Sequence, residues 1–261
     1  MPPSIITLTT DFGRTDTYIA QMKGVILSIN PAATIVDVTH EIPPQDIRRG
    51  AQALGEMWQA FPAGTIHVAV IDPGVGTSRG MLAAKCADRV FVLPNNGLLS
   101  HVLRSNSSDE IVELQNATYW RTSVSCVFHG RDIMAPVAAH LSLGVRVSKL
   151  GPAATDIILL DCPQPQLEDR QLIGQIISID HFGNLITNIE VTHLRRLPTT
   201  DIIVRCSRHQ IDGISQTYGT HPSGTLVAVL GSQGQLELAI VNGNAAQQLG
   251  AQTSDIVAVA W

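Results

Sequence analysis

The sequence lacks a basic excess and long apolar runs. Lys and Arg total 17 against 22 Asp and Glu, a formal net charge of -5. Nucleic acids and anionic membranes attract a basic footprint, so this charge balance argues against both as partners. No apolar run approaches the length needed to span a bilayer. Small molecules are the ligand class that the composition leaves open.

Cysteine is also scarce, and its spacing is wide. Cys86, Cys126, Cys162 and Cys206 form no C-x-x-C pair, which argues against a zinc site and against a disulfide framework. The N-terminal residues show no basic segment followed by an apolar one, so they do not read as a signal peptide. We expect a soluble, cytoplasmic protein with free thiols.

The first part of the chain, residues 1–163, alternates strand and helix patterns. Hydrophobic residues make up 44% of the 261 residues, enough for a large core. Short runs rich in Ile and Val alternate with apolar residues at helical spacing, a pattern typical of an α/β domain with a mostly parallel sheet. The predicted strands are 5–9, 34–38, 66–71 and 89–93, and a later helix is predicted near 132–143.

Residues 164–261 have a different character. Short strands predominate, separated in places by turn residues, and no long helical pattern intervenes. This favours a smaller all-β domain with a barrel or sandwich architecture. The predicted strands are 172–179, 201–206, 225–230, 236–241 and 256–260.

Polar residues follow several elements of the first domain. Asp11 ends the first strand, Asp72 and Arg79 follow the third, and His129 precedes a helix. Ligands of open parallel sheets bind beyond the carboxyl ends of the strands, so these four side chains are expected to converge there. Taken singly, an Asp at a strand end is often a turn former or helix cap, and a lone His before a helix is more often a cap or surface residue than a catalyst.

Other motifs in the same region are weaker. Gly76-Thr77-Ser78-Arg79-Gly80 fits the G-x-S-x-G pattern, but a nucleophile elbow requires a helix after the serine, and here a strand-like segment follows. The glycines of this loop also fit a dinucleotide-binding fingerprint poorly. A metal site would draw on Asp11, Asp72, His129 and Asp132, yet no H-E-x-x-H or close His pair supports one.

The sequence resembles the S-adenosylmethionine hydroxide adenosyltransferases, relatives of fluorinases and chlorinases. The resemblance runs nearly end to end, in order, so it is more specific than any single motif. The segments that carry it are Thr10–Gly13, Asp72–Gly76 with Arg79, Pro94–Leu99, Phe128–Asp132, Ile179–Asn184 with Thr187 and Asn188, and finally Ser232 and Glu237.

The resemblance implies a larger α/β domain and a smaller β-barrel domain, assembled as a homotrimer with substrate at the subunit interfaces. It implies that Asp11 binds the ribose diol and that Asn184 meets the adenine edge. Asp180 and Ser232 would face the amino-acid end of the substrate. Phe182 or Tyr218 would pack on the base, and Glu237 joins the substrate-binding set. Relatives often have Asn at the position of Gly231.

The resemblance also implies a reaction. The water-using branch of the family carries an Asp-Arg-His set, present here as Asp72, Arg79 and His129. The halide-using branch has Tyr, Thr and Ser in place of Asp72, Val75 and Gly130, so a halogenase is disfavoured. The expected activity is hydrolysis of S-adenosylmethionine to adenosine and methionine, with no metal and no cofactor. In this scheme Asp72 orients the water, while Arg79 and, if protonated, His129 supply positive charge. The alternative is a binding protein without catalysis.

Overall fold

The computed structural model describes residues 4–197 and 201–261. The chain divides into two compact units, the first ending at Leu160 and the second beginning at Asp161. Each unit is built around its own apolar cluster or clusters. Among the described residues, no helix has the length and apolar character needed to cross a bilayer.

The first unit contains a six-stranded sheet in the order β2-β1-β3-β5-β4-β6. The pairings β1–β2, β1–β3 and β3–β5 are parallel, whereas β4 runs antiparallel to both β5 and β6. Its strands are β1 (Ile5–Thr10), β2 (Thr34–Thr39), β3 (Ile66–Val70), β4 (Met81–Cys86), β5 (Arg89–Pro94) and β6 (Glu110–Glu113).

The prediction of a mostly parallel sheet is therefore only partly right, because the sheet is mixed. The reason lies in the connection between β4 and β5, which consists of Ala87 and Asp88 alone. Both have positive φ, 46° and 61°, as the two-residue hairpin turns require. A connection this short cannot hold a crossover helix, so the two strands must be antiparallel.

Helices cover both faces of this sheet. One apolar cluster includes residues of α1 and α4, and the other includes residues of α2 and α3. The side chain of Asp46 caps α2 by accepting the Arg49 N–H at 2.9 Å, a favourable N-terminal arrangement. The helices are α1 (Tyr18–Ile29), α2 (Ile47–Met57), α3 (Ser100–Ser105) and α4 (Ala135–Ser142), the last preceded by a π-helical turn over Gly130–Met134.

A buried histidine lies in the core of the first unit. His67, on β3, is fully buried, accepts or donates a hydrogen bond with Thr7 at 2.8 Å and stacks on Phe91. Burial, and secondarily the charge of Arg89, lowers its pKa from 6.5 to about 4. The folded state therefore binds fewer protons at this residue than the unfolded state between these two pH values.

This histidine predicts an acid-sensitive stability. The contribution of neutral His67 is complete above pH 6.5 and is lost as the pH falls towards 4, by about 3 kcal/mol at most. Urea unfolding of His67→Leu should show a shallower loss of stability between pH 6.5 and 4.5 than the wild type. His181→Leu, which changes an exposed histidine, is the control. Equal slopes in the wild type and His67→Leu would contradict the assignment.

The second unit is an antiparallel barrel-like sheet in the order β11-β10-β14-β8-β9-β13-β12, with β7 paired to β8. A bridge between Ser215 and Val229 brings its two ends together, so the sheet is nearly closed. Its strands are β7 (Gln166–Glu168), β8 (Gln171–Ile179), β9 (Leu185–Glu190), β10 (Ile203–Cys206), β11 (His209–Asp212), β12 (Leu226–Leu230), β13 (Gln235–Ile240) and β14 (Ile256–Ala260).

The barrel-like architecture follows from the sequence pattern. Along β8, buried residues alternate with more exposed ones, as expected for a strand with one face on the core. Two short helices, α5 (Val191–Leu194) and α6 (Ala245–Leu249), interrupt the strands. The predicted all-β character of this unit is confirmed at the level of architecture.

Candidate active site

The site in the first unit begins at the carboxyl ends of two neighbouring parallel strands. Thr10 of β1 pairs with Val70 of β3. Asp11 follows the first strand directly, and Asp72 follows the second after Ile71. The sheet register thus places both carboxylates at one edge, where parallel sheets bind ligands.

Asp72 and Arg79 form a bidentate ion pair. Arg79 Nε donates to Asp72 Oδ1 at 2.7 Å, and Arg79 Nη2 donates to Asp72 Oδ2. Their side chains are only 5% and 9% exposed, so water screens the pair weakly. Planar forked pairing fixes both groups in orientation as well as in distance. The loop from Asp72 to Arg79 therefore presents a carboxylate whose position is well defined.

His129 completes the group. Its Nδ1 lies 3.2 Å from Arg79 Nη2. Because a guanidinium only donates hydrogen bonds, Nδ1 must be the acceptor, which leaves the imidazole proton on Nε2. Burial, and next the charge of Arg79, lowers the pKa of His129, although Asp72 and Asp132 oppose this. The lowered pKa and the acceptor role of Nδ1 both favour the neutral imidazole, so the cation of this group is the Arg79 guanidinium.

Asp11 is held separately, by the segment that precedes α2. Its Oδ2 accepts the backbone N–H of Gln45 at 2.8 Å. Gln45 has a φ of 67°, a left-handed conformation that is costly for a residue with a side chain and is often found at functional sites. The Gly13 N–H donates to the His40 carbonyl at 2.8 Å. Among the residues that the structure describes, no hydrogen bond joins Asp11 to Asp72, Arg79 or His129.

Asp132 has a different role from the one a metal site would give it. It is fully buried, and its carboxylate accepts hydrogen bonds from Arg121, Arg131 and the Ser125 N–H. These bonds outweigh burial and lower its pKa to about 2. A carboxylate so occupied has little capacity left for a cation. Within residues 4–197 and 201–261, no group of three or more His, Cys, Asp or Glu side chains is arranged to hold a metal.

The serine and dinucleotide motifs do not form the structures they require. Ser78 is exposed and lies in the loop before β4, with no helix after it. Gly76 instead allows the loop to pack closely against the backbone of Cys126. Gly76 has a φ of 78°, and a side chain there would collide with the Cys126 carbonyl.

In the second unit, Asp180 and Asn184 bind each other in the connection between β8 and β9. Asp180 Oδ1 accepts the N–H groups of Phe182 and Asn184, and its Oδ2 accepts Asn184 Nδ2 at 2.8 Å. Phe182 is 72% exposed. The loop therefore presents a carboxylate, an amide and an exposed ring together.

Tyr218 and Glu237 form a second group in this unit. The Tyr218 hydroxyl donates to Glu237 Oε2 at 3.0 Å. Burial and the charge of Glu237 raise the pKa of Tyr218 to about 12, and Asp180 adds to this effect. The Asp180 and Tyr218 groups thus lie within electrostatic reach of each other. Glu237 also occupies the space beside Gly231, where a side chain would collide with it, while Ser232 is exposed in the next turn position.

Sequence reasoning missed several supporting residues. Gln45 acts through its backbone N–H, which no side-chain pattern reveals. Arg131 contacts the ring of Phe128, 4.9 Å from its guanidinium carbon. Phe128 in turn packs against Phe12 and Tyr18. The available signals were adjacency, since Phe12 follows Asp11 and Phe128 precedes His129, and the fact that Phe12, Phe128 and Arg131 lie in segments that carry the family resemblance.

Comparisons with known proteins identify the class to which this two-unit chain belongs. Residues 6–151 match the SAM hydroxide adenosyltransferase N-terminal domain, and residues 174–258 match the C-terminal domain. The chain therefore belongs to the SAM hydroxide adenosyltransferase family, which confirms the resemblance seen in its sequence.

Named relatives include hydrolases and a fluorinase. The chain is 37% identical to an (R)-S-adenosyl-L-methionine hydrolase of Salinispora tropica, over 97% of each chain. It is 30% identical to a fluorinase of Nocardia brasiliensis, covering 90% of this chain and 89% of that protein. A solved structure of an uncharacterized conserved protein from Thermotoga maritima is similar with a TM-score of 0.92 and 34% identity, covering 98% of this chain and 100% of that one.

Proposed function

We propose that this protein hydrolyses S-adenosylmethionine to adenosine and methionine by attack of water at C5′. The observation that carries the proposal is the Asp72–Arg79 ion pair, with both side chains buried, joined by His129 at the carboxyl end of β3. The names of the hydrolase relatives support the same reaction. A binding protein would need none of these three side chains for adenosine alone.

The chemistry requires help for the nucleophile rather than for the leaving group. Attack at C5′ forms a C–O bond and breaks the C–S bond, and the sulfonium departs as neutral methionine without needing a proton. Water is a poor nucleophile, so a group that accepts its proton and aims it in line with the sulfur accelerates the step. One proton of the water stays on the 5′-hydroxyl of adenosine, and the other passes to the Asp72 carboxylate and then to solvent.

The geometry supports the following division of roles. Arg79 occupies one lone pair on each Asp72 oxygen, and each oxygen retains another for the water. Asp72 is therefore the proton acceptor that orients the water. Arg79 stabilises the negative charge that grows as the water becomes hydroxide. His129, with its proton on Nε2, serves as a donor to the water oxygen and not as the base.

This sequence does not have, at the matching positions, the three hydroxyl side chains of the halide-using branch. Asp72, Val75 and Gly130 stand where that branch has Tyr, Thr and Ser. In addition, a Cβ at Gly130 would lie 3.1 Å from Val70 Cγ1, so a serine would require Val70 to shift. Incubation of the protein with S-adenosylmethionine, with and without chloride or fluoride, should give adenosine and methionine by chromatography. A halogenated nucleoside, or no product, would overturn the proposal.

The substrate-binding set is proposed to combine the two units of neighbouring chains in a homotrimer. Asp11 would bind the ribose diol and Asn184 the adenine edge, with Phe182 or Tyr218 against the base. Asp180, Ser232 and Glu237 would lie near the amino-acid end. Two carboxylates, those of Asp180 and Glu237, suit the cationic ammonium and sulfonium groups of the substrate. A cytoplasmic location fits a substrate made inside cells.

The reaction should not depend on a metal. The leaving group needs no Lewis acid, and Asp72 is already neutralised by Arg79 rather than available to a cation. Protein treated with EDTA and shown to be metal-free by elemental analysis should keep its full rate of adenosine formation. Loss of activity that only an added divalent ion restores would contradict this expectation.

A further inference from the structure

The segment that leads to His129 has little structure of its own. Residues 121–128 form neither helix nor strand, and Val127 is 78% exposed. Such a segment holds a side chain accurately only if other contacts fix it. The backbone contacts that do so converge on buried Asp132, whose carboxylate accepts the Ser125 N–H at 2.9 Å and whose carbonyl accepts the Arg121 N–H at 2.9 Å.

Arg131 links this buried carboxylate to the residue beside His129. Its Nε and Nη2 donate to the two oxygens of Asp132 at 2.7 and 2.8 Å, and its Nη1 donates to Gln21 at 2.9 Å. The carbon of the same guanidinium lies 4.9 Å from the centroid of the Phe128 ring. The planar guanidinium of Arg131 thus pairs with Asp132 and also lies over the Phe128 ring.

Phe128 also packs against the chain beside Asp11, the other carboxylate of the site. Its ring centroid lies 5.8 Å from that of Phe12 and 5.3 Å from that of Tyr18, both in edge-to-face geometry. Phe12 directly follows Asp11. The aromatic cluster of Phe12, Tyr18 and Phe128 therefore joins the chain beside Asp11 to the chain beside His129.

We propose that Arg131 is a positioning residue for His129, acting through the ring of Phe128 rather than by touching substrate. The expected fall in kcat rests on the proposed function. The expected change in the surroundings of His129 does not. Lysine cannot replace Arg131 in this role, because an ammonium is a point charge without the flat fork that pairs with Asp132 while stacking on a ring.

Arg121 provides a matched control. It donates to the same Asp132 oxygen as Arg131 Nε, at 2.9 Å, and its side chain is 45% exposed. We expect Arg131→Lys to lower kcat about tenfold, with KM within about twofold of the wild type, because small misplacements of catalytic groups are costly. Arg121→Lys should stay within about twofold of the wild type in both constants.

The titration of His129, followed by NMR, gives a readout that does not need turnover. Arg79, Asp72 and Asp132 are the charged groups that act on it. Loosening the segment should reduce burial and weaken the Arg79 contact, so the pKa of His129 should rise towards 6.5 in Arg131→Lys and stay unchanged in Arg121→Lys. This shift is expected even if the wild type makes no adenosine, a result that would overturn only the proposed function.

Two outcomes would overturn the inference. The first is an unchanged His129 titration in Arg131→Lys. The second is a fall in kcat that is equal in both lysine variants and follows their loss of melting temperature, as a purely structural role would give. If Arg131→Lys fails to fold, Phe128→Leu removes the ring while keeping the ion pair with Asp132. That variant should show the same kinetic loss and titration shift, and wild-type values for it would refute the role.

Discussion

Asp72→Asn should lower kcat by about 10²–10⁴, the usual cost of losing a general base. Asparagine keeps the size of the side chain but presents an amide where the water needs a strong acceptor, and it removes the ion pair with Arg79. Affinity for adenosine should stay within a few-fold of the wild type, because Asp72 acts chiefly on the water. Single-turnover assays and adenosine titrations measure the two effects separately.

The control for this substitution is Asp88→Asn. Asp88 lies in the β4–β5 turn, pairs with Lys85 at 3.8 Å and is 78% exposed, so its loss should leave turnover unchanged. Wild-type turnover in Asp72→Asn would refute the assigned mechanism. A large loss in Asp88→Asn would show that the assay reports general damage from charge removal.

Activity should be recovered when two inactive variants are combined. In the proposed trimer, Asp72, Arg79 and His129 of one chain face Asn184 of its neighbour. His129→Ala damages the first half of the site. Asn184→Ala damages the second half and also frees Asp180, which Asn184 Nδ2 holds at 2.8 Å. A trimer that contains both variants has one interface of three that pairs two intact halves, so about a third of the sites in the mixed trimers should be active.

This experiment uses full-length chains carrying different affinity tags, co-expressed and purified through both tags. Each variant alone is the control and should be nearly inactive. If mixed assemblies form but adenosine production does not return, the site lies within one chain and the shared-site proposal fails.

The position of the site could be predicted from the sequence because it depends on strand order. Asp11 and Asp72 each follow a buried run, and parallel strands end at the same edge, so their proximity follows from the alternation of strands and helices. The structure places them next to paired residues of β1 and β3. Arg79 and His129 join Asp72 as expected for the resemblance, although their roles in catalysis remain predictions.

Other features could not be predicted, since they depend on contacts between distant residues. The turn at Ala87 and Asp88 contains no glycine or asparagine. Its sequence therefore does not predict the antiparallel hairpin that makes the sheet mixed. The lowered pKa of His129 depends on its burial and on its contact with Arg79. The contact of Arg131 with Phe128 likewise depends on the fold around Asp132.

The most direct test of the central claim is hydrolysis of S-adenosylmethionine in water enriched in ¹⁸O, with both products analysed by mass spectrometry. Attack of water at C5′ places the solvent oxygen in the 5′-hydroxyl of adenosine and leaves methionine unlabelled. We expect ¹⁸O in adenosine in proportion to the enrichment of the water. Adenosine without the label, or no adenosine at all, would contradict the account.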